Sequence, residues 1–511
     1  MSNPSTLLDL LSGAPESTAI IVPEKDLRVS YASLKEQVIA VAEALAAAGV
    51  KRGDRIGTAL PNGLPNIVTF LAASMVGTAA PLNPAYKEDD FKFYLEDTNA
   101  KFLLLPPDGA EEARRAAGDK VPIIAVDLDE EGKVRLSTSG LGAEAPGAKA
   151  ARKPFTPPSV DDVALILHTS GSTGRPKRVP LTHAQLTISA RNVAQTYDLT
   201  KADVSLCVMP LFHVHGLVAS TLATLATGGT VVVPAKFNPL SFWRVAGDYG
   251  ATWYSAVPTL HQLLAARAQP GAKPAGAEKL RFIRSCSASL SPQLMGDLEA
   301  AFGAPVLEAY GMTEAAHQMA SNPLPPAPHK AGSVGPNTGT TTIGIMDAAG
   351  NLLKPGERGE VVIRGANVIR GYENNPEANA SSFTNGWFRT GDQGYLDEDG
   401  YLLLTGRLKE MINRGGEKIA PREIDEVLLG HPAVAEAVAF GTPHPTWGEE
   451  VAAAVVLKSD ASEADLIAYC RERMADFKRP KQIHITTAIP RTATGKIQRR
   501  VVAEAFAGAT R

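Results

Sequence analysis

A loop rich in glycine and hydroxyl side chains is the segment with the clearest chemical potential. Residues 168–177, His-Thr-Ser-Gly-Ser-Thr-Gly-Arg-Pro-Lys, follow an apolar run at 163–167 that predicts a strand. Gly171 and Gly174 let the backbone approach a ligand closely, and Lys177 adds a positive charge. The loop can therefore bind a polyphosphate, although it lacks the Gly-Lys-Ser/Thr ending of a Walker A loop and a plain turn is the alternative. Its hydroxyl donors are Thr169, Ser170, Ser172 and Thr173.

The elements that must position this loop alternate between helix and strand. Apolar residues at helical spacing predict helices over 34–48 and 67–76, and residues 55–60 and 101–105 predict strands. This rhythm favours an α/β sheet. Residues 332–404 are rich in strand and turn signals, which predicts a small β-barrel or a distorted sheet.

The part of the chain beyond Gly406 has a different pattern. A short charged helix is predicted at 421–429, strands at 434–440 and 451–457, and an amphipathic helix at 464–474. Together they predict a separate, compact α+β unit of about one hundred residues, near the lower end of common domain sizes.

Bulk composition excludes several classes of partner. The 511 residues carry a formal net charge of −3, so no global basic field indicates nucleic acid or a membrane surface. The three cysteines show no CxxC spacing, which argues against a zinc site or a disulfide framework.

The most apolar region, residues 217–233, is broken by Ser, Thr and Gly and predicts a core helix and strand, not a membrane span. Without a visible secretory signal or peroxisomal tail, a cytoplasmic protein is expected, and its oligomeric state stays open.

Five motifs in a fixed order resemble the signatures of the adenylate-forming enzymes, the family of acyl-CoA synthetases, peptide-synthetase adenylation domains and luciferases. Residues 169–177 resemble the first signature, with Arg178 where glycine is usual. The other four motifs are Tyr-Gly-Met-Thr-Glu at 310–314, Trp-Phe-Arg-Thr-Gly-Asp at 387–392, Gly-Arg-Leu-Lys at 406–409 and Pro-Arg-Thr-Ala-Thr-Gly-Lys at 490–496. The resemblance implies an N-terminal adenylation domain over residues 1–408 and a mobile C-terminal domain over residues 409–511.

The family's first reaction is the ATP-dependent activation of a carboxylic acid. Attack of the carboxylate on the α-phosphate gives an acyl-adenylate, through a charge-rich transition state that needs position and positive charge. The resemblance implies that Lys496 supplies charge between the acid and the α-phosphate, although spacing alone would make it a surface lysine. It further implies that Glu314 holds Mg²⁺ and that Asp392 and Arg407 bind the ribose. The implied adenine site lies between Ser287, Ala288 and Ser289 on one side and Glu308, Ala309 and Tyr310 on the other, with Tyr310 as a stacking face. Further nucleotide contacts are implied for Gly311, Met312 and Thr313.

The second reaction transfers the acyl group to coenzyme A. In this family the C-terminal domain rotates between the two steps, and Lys409 matches the hinge position. No covalent enzyme intermediate is needed, so no nucleophile–base pair is expected. The resemblance implies CoA contacts from Arg414, Gly415, Gly416 and Lys418.

Three segments are expected to surround the acid: residues 210–215, residues 286–290 and those after Glu314. Several hydrogen-bond donors there would be left unpaired by a hydrocarbon, so a small polar acid is favoured. The donors are His213, His215, Ser287, Ser289 and His317.

Individual histidines carry different weight in this prediction. His213 matches a family histidine near the reacting carboxylate, whereas His215 could equally be a core histidine. His317 and Ser289 are expected to bind a second carboxylate of the acid.

Four segments look like the oxalate–CoA ligases of plants and fungi, a group within the family: residues 280–290, 304–310, 321–325 and 412–419. Oxalate, the smallest dicarboxylate, fits a pocket of histidine and serine donors. Two alternatives stay open. One is a CoA ligase for another short, medium-chain or aromatic acid. The other is a non-catalytic ATP-binding regulatory protein, against which the presence of Lys496, Glu314 and Asp392 argues.

Overall fold

The larger part of the chain is built on two mostly parallel sheets. The computed structural model describes residues 5–137, 154–169, 176–269, 271–491 and 497–507. Within these ranges, the first sheet has eight strands and runs antiparallel only at its two edges. In spatial order its strands are His317–Ser321, Val306–Met312, Phe282–Ser285, Trp253–Ala256, Val204–Leu206, Thr230–Val232, Thr18–Val22 and Leu27–Ser30.

The second sheet brings the two sides of the predicted phosphate loop together. Its last two strands pair antiparallel, so that Thr169 lies opposite Lys177 in the register. Counting described residues only, the sheet has seven strands. Their spatial order is Val134–Ser137, Ile123–Leu128, Ala100–Leu105, Arg55–Thr58, Thr78–Pro81, Val163–Thr169 and Lys177–Thr182.

Helices connect the parallel strands, and their ends follow local capping. The side chain of Ser30 accepts a hydrogen bond from the backbone N–H of Ser33, so the first helix begins three residues before the apolar pattern does. The helices of this part are Tyr31–Ala47, Leu64–Val76, Glu88–Thr98, Glu111–Ala117, His183–Thr196, Ala223–Leu225, Phe242–Tyr249, Pro258–Ala265, Pro292–Phe302 and Pro376–Ser382, with 3₁₀ turns at Pro23–Lys25 and Thr313–Ala315.

The apolar region at 217–233 is buried, as predicted. It forms a π-helix, His215–Leu222, followed by the short helix Ala223–Leu225 and the strand Thr230–Val232. The π geometry was not predicted, and π-helical turns are often found at functional sites. Throughout the described ranges, no helix is both long and apolar enough to cross a membrane.

The strand-rich region at 332–404 forms an antiparallel sheet. Its described strands pair in an open order, so the structure has the distorted sheet and not the closed small β-barrel that was the other expectation. The order is Thr342–Met346, Gly359–Arg364, Trp387–Leu396 and Phe383–Thr384, and Leu402–Arg407 also pairs with Trp387–Leu396.

The smaller C-terminal α+β unit has its own core, which includes Ile412, Ile424 and Val451. A 3₁₀ turn, Leu408–Glu410, precedes it. Its sheet order is Glu417–Ile419, Ile412–Arg414, Gly448–Leu457 and Val434–His444, with Gln482–Thr486 parallel to Gly448–Leu457. Its helices are Pro421–Leu429, Glu463–Arg471 and Arg499–Ala507, with a 3₁₀ turn at Asp476–Lys478. The mixed α/β class, with a large N-terminal and a small C-terminal domain, is confirmed.

Candidate functional site

Strand ends of the eight-stranded sheet converge on one region. The strand Val306–Met312 leads into the turn that carries Glu314, and the chain then returns along His317–Ser321. The neighbouring strand Phe282–Ser285 leads into residues 286–290. Loops at the carboxyl ends of parallel strands are the usual place for a ligand site in an open α/β sheet.

Three residues of these loops have a strained backbone. Ser287, Ala316 and His317 adopt positive φ values of 73°, 53° and 137°, which residues other than glycine rarely do. Gly311 allows the close turn, because a Cβ there would lie 2.4 Å from the backbone oxygen of His317. Strained residues of this kind cluster at functional sites.

Glu314 is the centre of one polar cluster. It is buried, and its Oε1 accepts hydrogen bonds from the Thr169 hydroxyl at 3.3 Å and the Tyr372 hydroxyl at 2.9 Å. The Lys177 ammonium lies 4.5 Å from the centre of the Tyr372 ring. Burial lowers the pKa of Lys177, the charge of Glu314 opposes that shift, and the charge of Lys409 adds to it. Two lysines and one glutamate therefore lie close to the start and end of the predicted phosphate loop.

Arg178, which replaces the usual glycine of the family motif, has a structural role. Its guanidinium donates to the backbone oxygen of Asp97 and lies 3.7 Å from Glu373 Oε2. The backbone N–H of Glu373 donates to the Arg178 carbonyl at 3.1 Å. These contacts hold the segment that carries Tyr372 against the strand that carries Lys177.

A second polar cluster joins Tyr310, Asp392 and Arg407. The Tyr310 hydroxyl donates to Asp392 Oδ2, and Arg407 Nε lies 3.0 Å from Asp392 Oδ1. Tyr310 and Asp392 are buried, at 8% and 7% exposure. Burial, followed by the charge of Asp392, raises the pKa of Tyr310, which keeps the phenol a donor. Little of Tyr310 is therefore exposed in this structure.

Glu308 faces the interior. Its Oε1 accepts from the Leu290 backbone N–H at 2.9 Å, and Oε2 is buried without a hydrogen-bond partner. Burial raises the pKa of Glu308 to about 7, against the lowering effect of Arg422. The carboxyl group thus fixes the 286–290 loop. The neighbouring predicted nucleotide residues differ in exposure: Ala309 and Thr313 are buried, Gly311 and Met312 are half-buried, and Ala288 and Ser289 are exposed.

His215 is both a core histidine and part of a polar chain. It is 0% exposed, with Nε2 2.6 Å from the Ser255 hydroxyl and Nδ1 3.0 Å from the Ser287 hydroxyl. Its ring centre lies 5.4 Å from that of His317 in an edge-to-face arrangement. The half-buried His213 accepts a hydrogen bond at Nδ1 from the His215 backbone at 3.3 Å. The structure therefore brings His213, His215, Ser287 and His317 together.

The predicted CoA residues lie on a hairpin of the C-terminal unit. Arg414 Nε lies 2.6 Å from Glu450 Oε1, and its guanidinium lies 5.1 Å from the centre of the Trp447 ring. Gly415 has a φ of 60°, and a Cβ there would lie 2.7 Å from the Trp447 ring. Gly416 and Lys418 are exposed.

Two groups of predicted residues lie outside the described ranges: Lys496, and the loop residues Ser170, Gly171, Ser172, Thr173 and Gly174. Their roles stay predictions from the sequence. Lys409 lies in the turn Leu408–Glu410, between the last strand of the antiparallel sheet and the first strand of the C-terminal unit.

Four residues around the site were not predicted. Tyr372 contacts Glu314, and Ser255 and Arg284 both contact His215. Gln318 accepts a hydrogen bond from Arg284. The sequence could have pointed to Arg284, because it is a charged residue that follows Phe282 and Ile283 in an apolar run. It could not have pointed to Ser255, since only the register of the sheet places Ser255 opposite Arg284.

The chain is similar to known proteins over almost its full length. The AMP-binding enzyme family matches residues 11–373, and the AMP-binding enzyme C-terminal domain matches residues 423–496. The oxalate–CoA ligase of Arabidopsis thaliana is 46% identical, over 98% of this chain and 99% of the relative. The oxalate–CoA ligase of Saccharomyces cerevisiae is 44% identical, over 97% of this chain and 96% of the relative. The solved structure of ATP-bound MatB from Rhodopseudomonas palustris has a TM-score of 0.89 and 30% identity, and 100% of each chain is covered.

Proposed function

The chain belongs to the AMP-binding enzyme family, and from that premise we propose that it is an ATP-dependent oxalate–CoA ligase. Oxalate, ATP and CoA would give oxalyl-CoA, AMP and diphosphate through an oxalyl-adenylate. The observation that carries the proposal is the similarity to two oxalate–CoA ligases along nearly the whole chain. The acid end of the site, formed by His213, His215, Ser287 and His317, supports it, since these histidine and serine side chains suit a small polar acid.

The first half-reaction joins a carboxylate oxygen of oxalate to the α-phosphorus of ATP and breaks the bond to diphosphate. Both reactants are anions, so positive charge must offset their repulsion. Lys177 lies beside the phosphate loop, and Lys496 is the second cation by resemblance. His213 would lie near the reacting carboxylate.

Glu314 fits a role in holding Mg²⁺. Its carboxylate is an oxygen donor, and Mg²⁺ prefers oxygen ligands. Among the described residues, no three His, Cys, Asp or Glu side chains cluster closely enough to form an all-protein metal site. Phosphate oxygens and water would therefore complete the coordination, and the ion would neutralise phosphate charge when bound.

The ribose would bind at Asp392. Its carboxylate accepts hydrogen bonds, and Tyr310 and Arg407 hold it in one orientation. The adenine would lie between the exposed residues Ala288 and Ser289 and the ring of Tyr310.

In the second half-reaction the CoA sulfur attacks the adenylate carbonyl carbon and AMP leaves. The thiol needs access from a different side, which supports a division into domains 1–408 and 409–511 that rotate about Lys409. The glycines at 415 and 416 would allow CoA to approach closely, with Lys418 near its phosphates. Arg414 would have to leave Glu450 to contribute its charge.

We place the enzyme in the cytoplasm. Cys207, Cys286 and Cys470 are free and buried, which suits a reducing compartment.

The proposal is tested by AMP release from purified protein with oxalate, malonate, acetate, octanoate and coumarate, each with ATP, Mg²⁺ and CoA. The expected result is the highest kcat/KM with oxalate. A higher kcat/KM for any other acid would reassign the substrate, and no AMP release with any of them would contradict the ligase assignment for this acid range. Omission of CoA is the control that separates adenylate formation from thioester formation.

A further inference from the structure

A buried arginine behind the acid end of the site has no acidic partner among the residues that the structure describes. Arg284 lies in the strand Phe282–Ser285 and is 0% exposed. Its guanidinium donates to the Tyr197 hydroxyl at 2.9 Å, to Gln318 Oε1 at 3.0 Å and to the Ser255 hydroxyl at 3.0 Å. These partners are neutral. Across the described ranges, no carboxylate forms an ion pair with Arg284.

Such a charge is costly to bury. An ion in the protein interior is strongly unfavourable unless it is paired, and arginine does not lose its proton to escape that cost. The hydrogen bonds to Tyr197, Gln318 and Ser255 satisfy donors but leave the net charge in place. A negatively charged ligand in an adjoining pocket would balance it.

The acid pocket is that adjoining pocket. Arg284 Nη1 lies 3.5 Å from His215 Nε2. His215 in turn lies beside Ser287 and His317. Only the His215 side chain would therefore separate an anion that contacts Ser287 from the positive charge of Arg284.

Arg284 also sets the direction of a hydrogen-bond chain. A guanidinium can only donate, so a hydrogen on His215 Nε2 would face a cation, and Nε2 must present its lone pair. The Ser255 hydroxyl accepts from Arg284 and can then donate to Nε2, over 2.6 Å. This leaves the His215 hydrogen on Nδ1, directed at the Ser287 oxygen 3.0 Å away.

The last donor of this chain is directed away from the arginine. Once the Ser287 oxygen accepts from His215, its own hydrogen is available to an acceptor. Ser287 makes no further hydrogen bond to a described residue, is half-buried, and has a strained backbone with φ of 73°. A carboxylate oxygen is the acceptor that benefits most, since hydrogen bonds to charged groups are the stronger ones.

We propose that Arg284 is a positioning residue that makes the acid pocket selective for a dianion. It supplies an uncompensated positive charge and orients Ser255, His215 and Ser287 so that the Ser287 hydroxyl donates to the second carboxylate of the acid. The inference rests on the proposed function, because it concerns the distal carboxylate of oxalate.

The test compares oxalate with oxamate, which has nearly the same shape but an amide in place of one carboxylate. In Arg284→Met the KM for oxalate is expected to rise roughly 10- to 100-fold, the size of one hydrogen bond to a charged group. The inhibition constant of oxamate against oxalate is expected to change about threefold or less, a change typical of a weak neutral contact. Arg284→Lys keeps the charge and should restore part of the selectivity.

Two further variants separate this role from a structural one. Selectivity is measured as the inhibition constant of oxamate divided by the KM for oxalate. Tyr197→Phe removes a hydrogen bond from the same guanidinium but leaves its charge and its Ser255 contact, so it should lower thermal stability without changing this ratio. Ser255→Ala interrupts the hydrogen-bond chain between Arg284 and His215 and should lower the ratio, and it tests the proposal even if Arg284→Met does not fold.

The outcomes are distinct. Wild-type protein that releases no AMP with oxalate overturns the proposed function. If the wild-type protein is active but the Arg284 and Ser255 variants weaken the binding of oxalate and of oxamate by the same factor, this inference alone is overturned. A larger loss of oxalate binding than of oxamate binding, with partial recovery in Arg284→Lys, supports it.

Discussion

The nucleotide end and the acid end of the candidate site differ in the charge that they bury. At the nucleotide end, Glu314 and Asp392 are buried carboxylates that accept hydrogen bonds from tyrosine hydroxyls. At the acid end, the buried charge is Arg284, and the groups between it and the pocket are neutral donors. The difference matches the proposed ligands: ribose hydroxyls and a metal ion need acceptors, and a dicarboxylate needs donors.

Removal of Lys496, the cation proposed between the acid and the α-phosphate, should have the largest effect. Lys496→Ala is expected to lower ATP–pyrophosphate exchange by about 10²-fold or more, because a preorganised charge at a transition state contributes on that order. The measurement is exchange of labelled pyrophosphate into ATP with oxalate present.

Lys481→Ala is the matched control, since Lys481 is a partly exposed lysine of the same C-terminal unit. Its exchange rate should be that of the wild type. Exchange that persists at the wild-type rate in Lys496→Ala would remove Lys496 from the adenylation step.

A change at the nucleotide end should affect one substrate only. Asp392→Ala removes the acceptor held by Tyr310 and Arg407, and the KM for ATP is expected to rise about 10- to 100-fold, since charged hydrogen bonds are lost. The KM for oxalate serves as the internal control and should change little. An equal rise in both KM values would mean that Asp392 acts on the site as a whole.

The converse change at the acid end should be smaller. Ser287→Ala removes one donor and is expected to raise the KM for oxalate by about tenfold, with the KM for ATP unchanged. Steady-state kinetics with each substrate varied in turn checks it. If the KM for ATP rose instead, the Ser287 side chain would belong to the nucleotide end, and the contrast between the two ends would fail there.

The smallest effect concerns Glu308, whose carboxyl group accepts a hydrogen bond from the Leu290 backbone N–H. Burial raises its pKa to about 7, so the folded protein keeps a proton that the unfolded chain loses above about pH 4.5. Its contribution to stability therefore falls as pH rises from about 4.5 to about 7 and then levels off. Between these pH values, the apparent melting temperature of Glu308→Gln should fall by a few degrees less than that of the wild type.

The control for Glu308 is the exposed Glu130. Glu130→Gln should keep the wild-type slope of melting temperature against pH. An unchanged slope in Glu308→Gln would show that Glu308 does not carry the buried proton.

The sequence predicted these two ends unequally. Glu314, Asp392 and Arg407 stand in ordered motifs that resemble the family signatures, so the sequence could point to each of them as a candidate nucleotide-site residue. The contact between Arg284 and Ser255 depends on the register of two strands 29 residues apart, which no local pattern encodes. The open pairing of the antiparallel sheet depends on tertiary register in the same way.

Local structure was predicted best where capping and periodicity agree. The helix Pro421–Leu429 has the predicted bounds, with proline at its start. A buried helix was predicted from residue 217 on, but the π geometry of His215–Leu222 was not, because a helix that is buried on every side has no polar face whose periodicity would distinguish the two helix types.

The acid end of the site is proposed to select oxalate over other acids. This selectivity is measured in a competition in which purified protein, ATP, Mg²⁺ and CoA are mixed with equimolar oxalate, malonate, succinate, acetate and coumarate, and the acyl-CoA products are separated by mass spectrometry. Oxalyl-CoA is expected to exceed every other thioester at early times. A different thioester as the main product would contradict the claim.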